Sequence, residues 1–156
     1  MHRSRPYRGM CVRRQLPAAT LRSVSEPERP SERIVEQRMR SRAMEALEAL
    51  SEGDGGVRSV GVGEYVEQFF DVINDDVPWH WRTWSCFTSE EVERLDEVHN
   101  LLVAACDATP HITTDDDAFI ASGWPSRIQP AALAALSVMQ ARGRFREDAE
   151  EETPSQ

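Results

Sequence analysis

Lysine is absent: all 18 basic residues of this 156-residue chain are arginine. Lysine codons are AT-rich, so the exclusion points to a GC-rich genome of the kind common in bacteria. Long apolar runs are missing as well. None approaches the roughly 20 residues a helix needs to cross a bilayer, which excludes an integral helical membrane protein. Cysteine is scarce and odd in number, with Cys11, Cys86 and Cys106 alone. No secretory signal precedes them, so the expectation is a reducing cytoplasmic setting without a disulfide framework. Strand signals are nearly missing too. Alternation of apolar and polar residues occurs only around Val57–Val62, and glycines interrupt it there. No internal repeat is present, and the length fits one domain.

What is present is an uneven charge. Residues 1–43 carry 11 arginines and 4 acids, a balance of +7, whereas residues 44–156 carry 7 arginines and 23 acids, a balance of −16. The opening stretch, rich in Arg, Ser and Pro without periodicity, cannot bury enough apolar surface to offset its ordering entropy. Residues 1–38 are therefore expected to form a disordered basic leader. It reads as a transit-like segment, as a nucleic-acid-binding arm, or, the favoured reading, as sequence upstream of a misassigned start, with Met10, Met39 and Met44 as the alternatives.

The remainder reads as helix. "SERIVEQRMRSRAMEALEALSEGDGG" places Met39, Ala43, Leu47 and Leu50 on one face, and Gly53, Gly55 and Gly56 stop it. In "SVGVGEYVEQFFDVINDD", Val62, Tyr65, Val66, Phe69, Val72 and Ile73 form a stripe about 100° wide, with Ser59 as cap. Thr88 stands three residues before Glu91, a capping-box spacing, ahead of Val92, Leu95, Val98, Leu102 and Cys106. A short helix is expected from Thr114, and a last one from Pro130 to Gly143. The predicted fold is all-α: a small bundle of four main helices plus one short helix over residues 39–143, closed by a solvated acidic tail at 144–156.

Few residues carry a chemical signal. His80, Cys86, His99 and Cys106 offer two imidazoles and two thiols, the kit for tetrahedral zinc or a thiol enzyme. The close ligand pairs of structural zinc sites and the glycine-rich loop of an oxyanion hole are both lacking. Core packing is the better reading of the cysteines. Asp115, Asp116 and Asp117, like Asp75 and Asp76, suit a helix dipole and solubility better than a hard-cation site. No cofactor is expected. The folded part, at −16, repels phosphate and is not expected to bind nucleic acid.

Two acidic faces stand out. Glu64, Glu67, Asp71 and Asp75 recur along the second helix, and Glu90, Glu93 and Glu97 along the third. A solvated face is the ordinary explanation, and docking of a basic partner is the alternative that so large a charge excess favours. Between them lies "VPWHWRTWSC", with Trp79, Trp81 and Trp84 in six residues. Tryptophan is enriched in binding hot spots, so one or two rings are expected to pack inward and at least one to be exposed.

The stretches "GVGEYVEQFFDVIND", "SEEVERLDEVHNLLVAACDATP" and "DDDAFIASGWPSRIQPAALAAL" resemble the bacterial self-protective, colicin-like immunity proteins over about residues 44–143. The tryptophan-rich loop departs from that family's pattern. The resemblance implies a non-enzymatic acidic bundle that occludes a toxin domain, with Glu64, Glu67, Asp71, Glu90, Glu93 and Glu97 as contacts. The competing expectation is a metal-binding or cysteine-based enzyme on the His80, Cys86, His99 and Cys106 set, or a helical regulatory subunit.

Overall fold

A computed structural model describes residues 27–76, 80–112 and 114–152. Among these residues there are six α-helices, one 3-10 turn and no strand. The helices are α1 (Glu32–Ser51), α2 (Asp54–Val60), α3 (Val62–Phe70), α4 (Ser89–Ala108), α5 (Asp116–Ala121) and α6 (Trp124–Arg142), with the 3-10 turn at Trp81–Thr83 ahead of α4. Helix α6 lies against both α1 and α4, and α3 packs mainly on α1. The face α6 turns inward is built from Ala131, Ala132 and Ala135 with Ile128, Leu136 and Met139, and such small side chains bring helix axes close.

The chain departs from its predicted elements where local signals were ambiguous. Helix α1 begins at Glu32, with the Ser31 hydroxyl accepting from the Ile34 N–H at 3.3 Å, so the expected leader boundary at residue 38 falls inside it. Its first half buries Glu36, Gln37 and Arg40, which do not register as an apolar stripe. The glycines after α1 do not simply end a helix. Gly53, at φ 58°, turns the chain straight into α2. Gly56 then passes so close to α1 that a Cβ there would stand 2.0 Å from the Ala49 carbonyl oxygen. The cap of α3 is Gly61, at φ 84°, rather than Ser59, and the Val62 N–H donates to Asp116 at 2.9 Å.

Two helix starts also move. Helix α5 is capped by Asp115, not Thr114: its carboxylate accepts from the Ala118 N–H at 3.0 Å. Helix α6 starts at Trp124 after a left-handed Gly123, with Pro125 in its first turn. Pro130 therefore sits inside the helix. Both it and Ser126, whose carbonyl loses its donor, are exposed and within reach of water.

The centre of the molecule is polar. Glu91, with none of its side chain exposed, accepts from Arg40 on α1 at 2.8 Å and from Arg142 on α6 at 2.5 Å. It also completes the expected capping box, accepting from the Thr88 N–H at 3.0 Å while its own N–H donates to the Thr88 hydroxyl at 3.2 Å. Arg40 donates further to the Gly143 and Met139 carbonyls at 2.6 and 3.0 Å. The segment after α6 is not a free tail. Phe145 is buried, with the guanidinium groups of Arg33, Arg40 and Arg142 about its ring at 4.9 to 5.3 Å. The Gln37 amide holds the next residues: its nitrogen donates to the Arg146 and Ala149 carbonyls, and its oxygen accepts from the Glu151 N–H. Arg33 reaches the Glu151 carbonyl and Arg38 that of Glu147.

Removing one partner of this buried network strands a charge. Arg40→Ala or Glu91→Ala should cost about 3–5 kcal/mol, and simultaneous apolar replacement of Arg40, Glu91 and Arg142 much less. Denaturant unfolding of the single and triple variants checks the difference.

Candidate partner-binding surface

The acids of α4 form one outward face. Glu90, Glu93 and Glu97 are all exposed, and the single cation among them, Arg94, meets Glu97 at 3.5 Å with both side chains about half in solvent. Glu90 and Glu93 have no arginine partner among the described residues. The acids of α3 do not continue this face. Glu64 and Asp71 border a cleft toward α1, beside Arg42 and Glu45, and Glu64 accepts from Gln68 at 2.7 Å. Glu67 instead borders an apolar groove shared with α4 and α5. Glu90 lies beside Ser137 and Arg142 at the junction of α4 and α6. The expected pair of parallel stripes is thus one coherent face on α4 and a divided set on α3.

Asp75 is engaged within the protein. It accepts from Arg82 at 2.6 Å and from the Trp81 indole N–H at 3.2 Å, and its other oxygen stands 3.8 Å from His99 Nε2. Arg82 extends across to Asp96 at 2.6 Å and lies 4.4 Å over the Trp81 ring. The hydrogen bond from Arg82 holds the Asp75 carboxyl below the usual range, with smaller help from Trp81 and His99. This residue is a latch between the loop after α3 and the outer side of α4, not a free contact.

Two of the three tryptophans pack inward, as expected, and this corrects the assignment of Trp81 and Trp84 as partner contacts. Trp81 is fully buried and Trp84 is 5 % exposed. The single 3-10 turn sends both rings to the same side, where Trp84 stacks on Phe87 at 5.8 Å and Trp81 meets that ring edge-on at 6.4 Å. Neither can act as a surface anchor, and Trp79 lies outside the described residues. The turn is moored to α1 by Glu36, whose carboxylate accepts from both the N–H and the hydroxyl of Ser85.

The histidines and cysteines are dispersed. Among the described residues no three groups of metal-ligating type stand together. His80 is exposed, whereas His99 is buried against Phe70. Cys86 is sealed under α1, its thiol donating to the Glu36 carbonyl at 3.4 Å. Burial, reinforced by the Glu36 carboxylate, pushes that thiol up to about 12. Cys106, expected in the core, is exposed beside the groove, because α4 turns its buried stripe onto Ala105 instead. Burial of part of its surface, with Asp107 alongside, raises this thiol too. That groove, lined partly by residues of three helices, left no mark in the sequence.

The chain matches no family model, no curated protein and no solved structure. Among the described residues no helix is long and apolar enough to cross a membrane.

Two outcomes are expected. Iodoacetamide at neutral pH should modify Cys106 in the folded protein and leave Cys86 intact until denaturant is added, as read by peptide mass mapping. Because the native Asp75 carboxyl is the stronger acid, the stabilisation it contributes should be complete above about pH 4 and disappear as pH falls below that through its native value. Thermal midpoints of wild type and Asp75→Asn should therefore converge in acid and separate toward neutrality.

Proposed function

We propose that this chain is a non-enzymatic, cytosolic acidic binding protein that neutralises a basic protein partner by covering it, in the manner of an immunity protein or antitoxin on a toxin domain. The observation that carries this reading is the exposed state of Glu90 and Glu93, without an arginine partner among the described residues, beside Glu97 on α4. Arg40 and Arg142 are drawn into the interior, and Arg33 and Arg38 face carbonyls of the C-terminal segment. A surface left this negative repels itself, a cost that a cationic client relieves.

In this mechanism the α4 face meets the partner's cationic cleft first, and complementary potential speeds encounter and fixes orientation. Of the acids on and just after α3, Glu67 adds negative charge at the groove toward α4, while Glu64 and Asp71 face the cleft toward α1. No catalytic residue, metal or cofactor enters this reading. Acidic faces of this kind also disfavour a nucleic-acid partner, whose phosphates would be repelled.

The test is charge reversal of the α4 face. The wild-type chain should capture a basic protein from an extract of its native host. Glu90→Arg with Glu93→Arg and Glu97→Arg should slow association by about tenfold or more and flatten its salt dependence. Capture of no basic protein, or equal capture by both chains, ends the proposal.

A further inference from the structure

The groove beside α3 is built for a side chain. It encloses about 120 Å³ between α3, the end of α4 and α5, and its walls are Val62, Val66, Ile112 and Phe119, with Cys106 and Glu67 beside them. The volume is of the order of the ~150 Å³ apolar cavities that hold a benzene ring. Gly63 lies on its rim. This residue lies inside α3 at an ordinary helical position, and a Cβ added there would meet no atom within 4 Å. Glycine is a poor helix former, so packing does not require it here and local helix stability opposes it.

The surroundings state what kind of occupant fits. Glu67 is exposed alongside the apolar walls and has no arginine partner among the described residues. Asp107 is exposed next to Cys106 and is likewise unpaired, while Asp116, bonded to the Val62 N–H, adds a third carboxylate nearby. An apolar slot ringed by carboxylates suits an aliphatic side chain flanked by cations.

We infer that the groove is the anchoring pocket for the basic partner, receiving one aliphatic side chain whose neighbouring arginine or lysine residues meet Glu67 and Asp107. This rests on the partner being basic, as proposed above. It assigns to the α3–α4–α5 groove the desolvated contact that the buried Trp81 and Trp84 cannot make.

The test uses two defined peptides on the full chain, followed by methyl and amide nuclear magnetic resonance. Acetyl-Arg-Leu-Arg-amide should shift the methyls of Val62, Val66 and Ile112 saturably. Acetyl-Arg-Ala-Arg-amide should bind there at least about tenfold more weakly, as loss of an aliphatic contact in an apolar pocket requires. Gly63→Leu, which has room for its side chain over the groove, should abolish those shifts while leaving the thermal midpoint unchanged or higher. Shifts confined to Glu90, Glu93 and Glu97 and equal for both peptides would overturn the pocket and leave the basic partner standing. Groove shifts produced without peptide by deleting residues 1–26 would overturn it in favour of the chain's own basic segment. Groove shifts that track protein concentration would overturn it in favour of a second copy.

Discussion

Glu91 has one carboxylate and three tasks. It closes the first turn of α4 through Thr88, and it joins α4 to α1 through Arg40 and to α6 through Arg142. The two guanidinium groups outnumber the carboxylate, so the buried cluster would be left positive by itself. Carbonyl oxygens make up the difference. Arg40 reaches those of Met139 and Gly143 at the C-terminal end of α6, the negative end of that helix's dipole, and Arg142 reaches that of Cys86. Desolvating three charges is expensive, and replacing all three by apolar residues should cost far less than removing one. What the network supplies is geometry: with Glu91 in place, α1, α4 and α6 can meet in one register.

That geometry decides where the residues after α6 lie. Arg40 and Arg142 flank Phe145 as well as Glu91, so the residues after α6 are drawn across the first turns of α1, where Gln37 and Arg33 hold their backbone. The described part of the basic portion, residues 27–43, is therefore not electrostatically separate from the acidic remainder. Arginines from before residue 44 serve acids and carbonyls from after residue 90. The acids on the outer face of α4 are among those they do not reach, and these stay in solvent.

Sequence reasoning reads such a molecule unevenly. Helix α4 was legible because its cap and its stripe are both local, Thr88 with Glu91 and then Leu95, Val98 and Leu102. The start of α1 was not, because Glu36, Gln37 and Arg40 look like a solvated face until Ser85, the C-terminal segment and Glu91 are placed opposite them. Pro130 and Pro125 both satisfy the rule for a proline in a first helical turn, and only Gly123, with its left-handed backbone, separates them. Phe145 stands alone among charges, so no periodicity marks it as core. The acids of α3 were placed correctly on the helix exterior, yet their division between two clefts depends on the packing of α1, α4 and α5, which a one-dimensional pattern does not carry.

The burial of Trp81 changes what the acidic surface is able to do. Its indole donates to Asp75, Arg82 bridges Asp75 to Asp96, and the turn thereby clamps the end of α3 to the side of α4. A ring exposed as an anchor would have left this loop free to move and the two acid-bearing helices free to shift against each other. Sealed inside, it restrains the segment after α3 against the side of α4. A surface ordered before binding loses less conformational freedom when a partner arrives. Trp81 and Trp84 therefore act from inside the fold, and in the proposed reading the contacts fall to the carboxylates and to the groove beside Gly63.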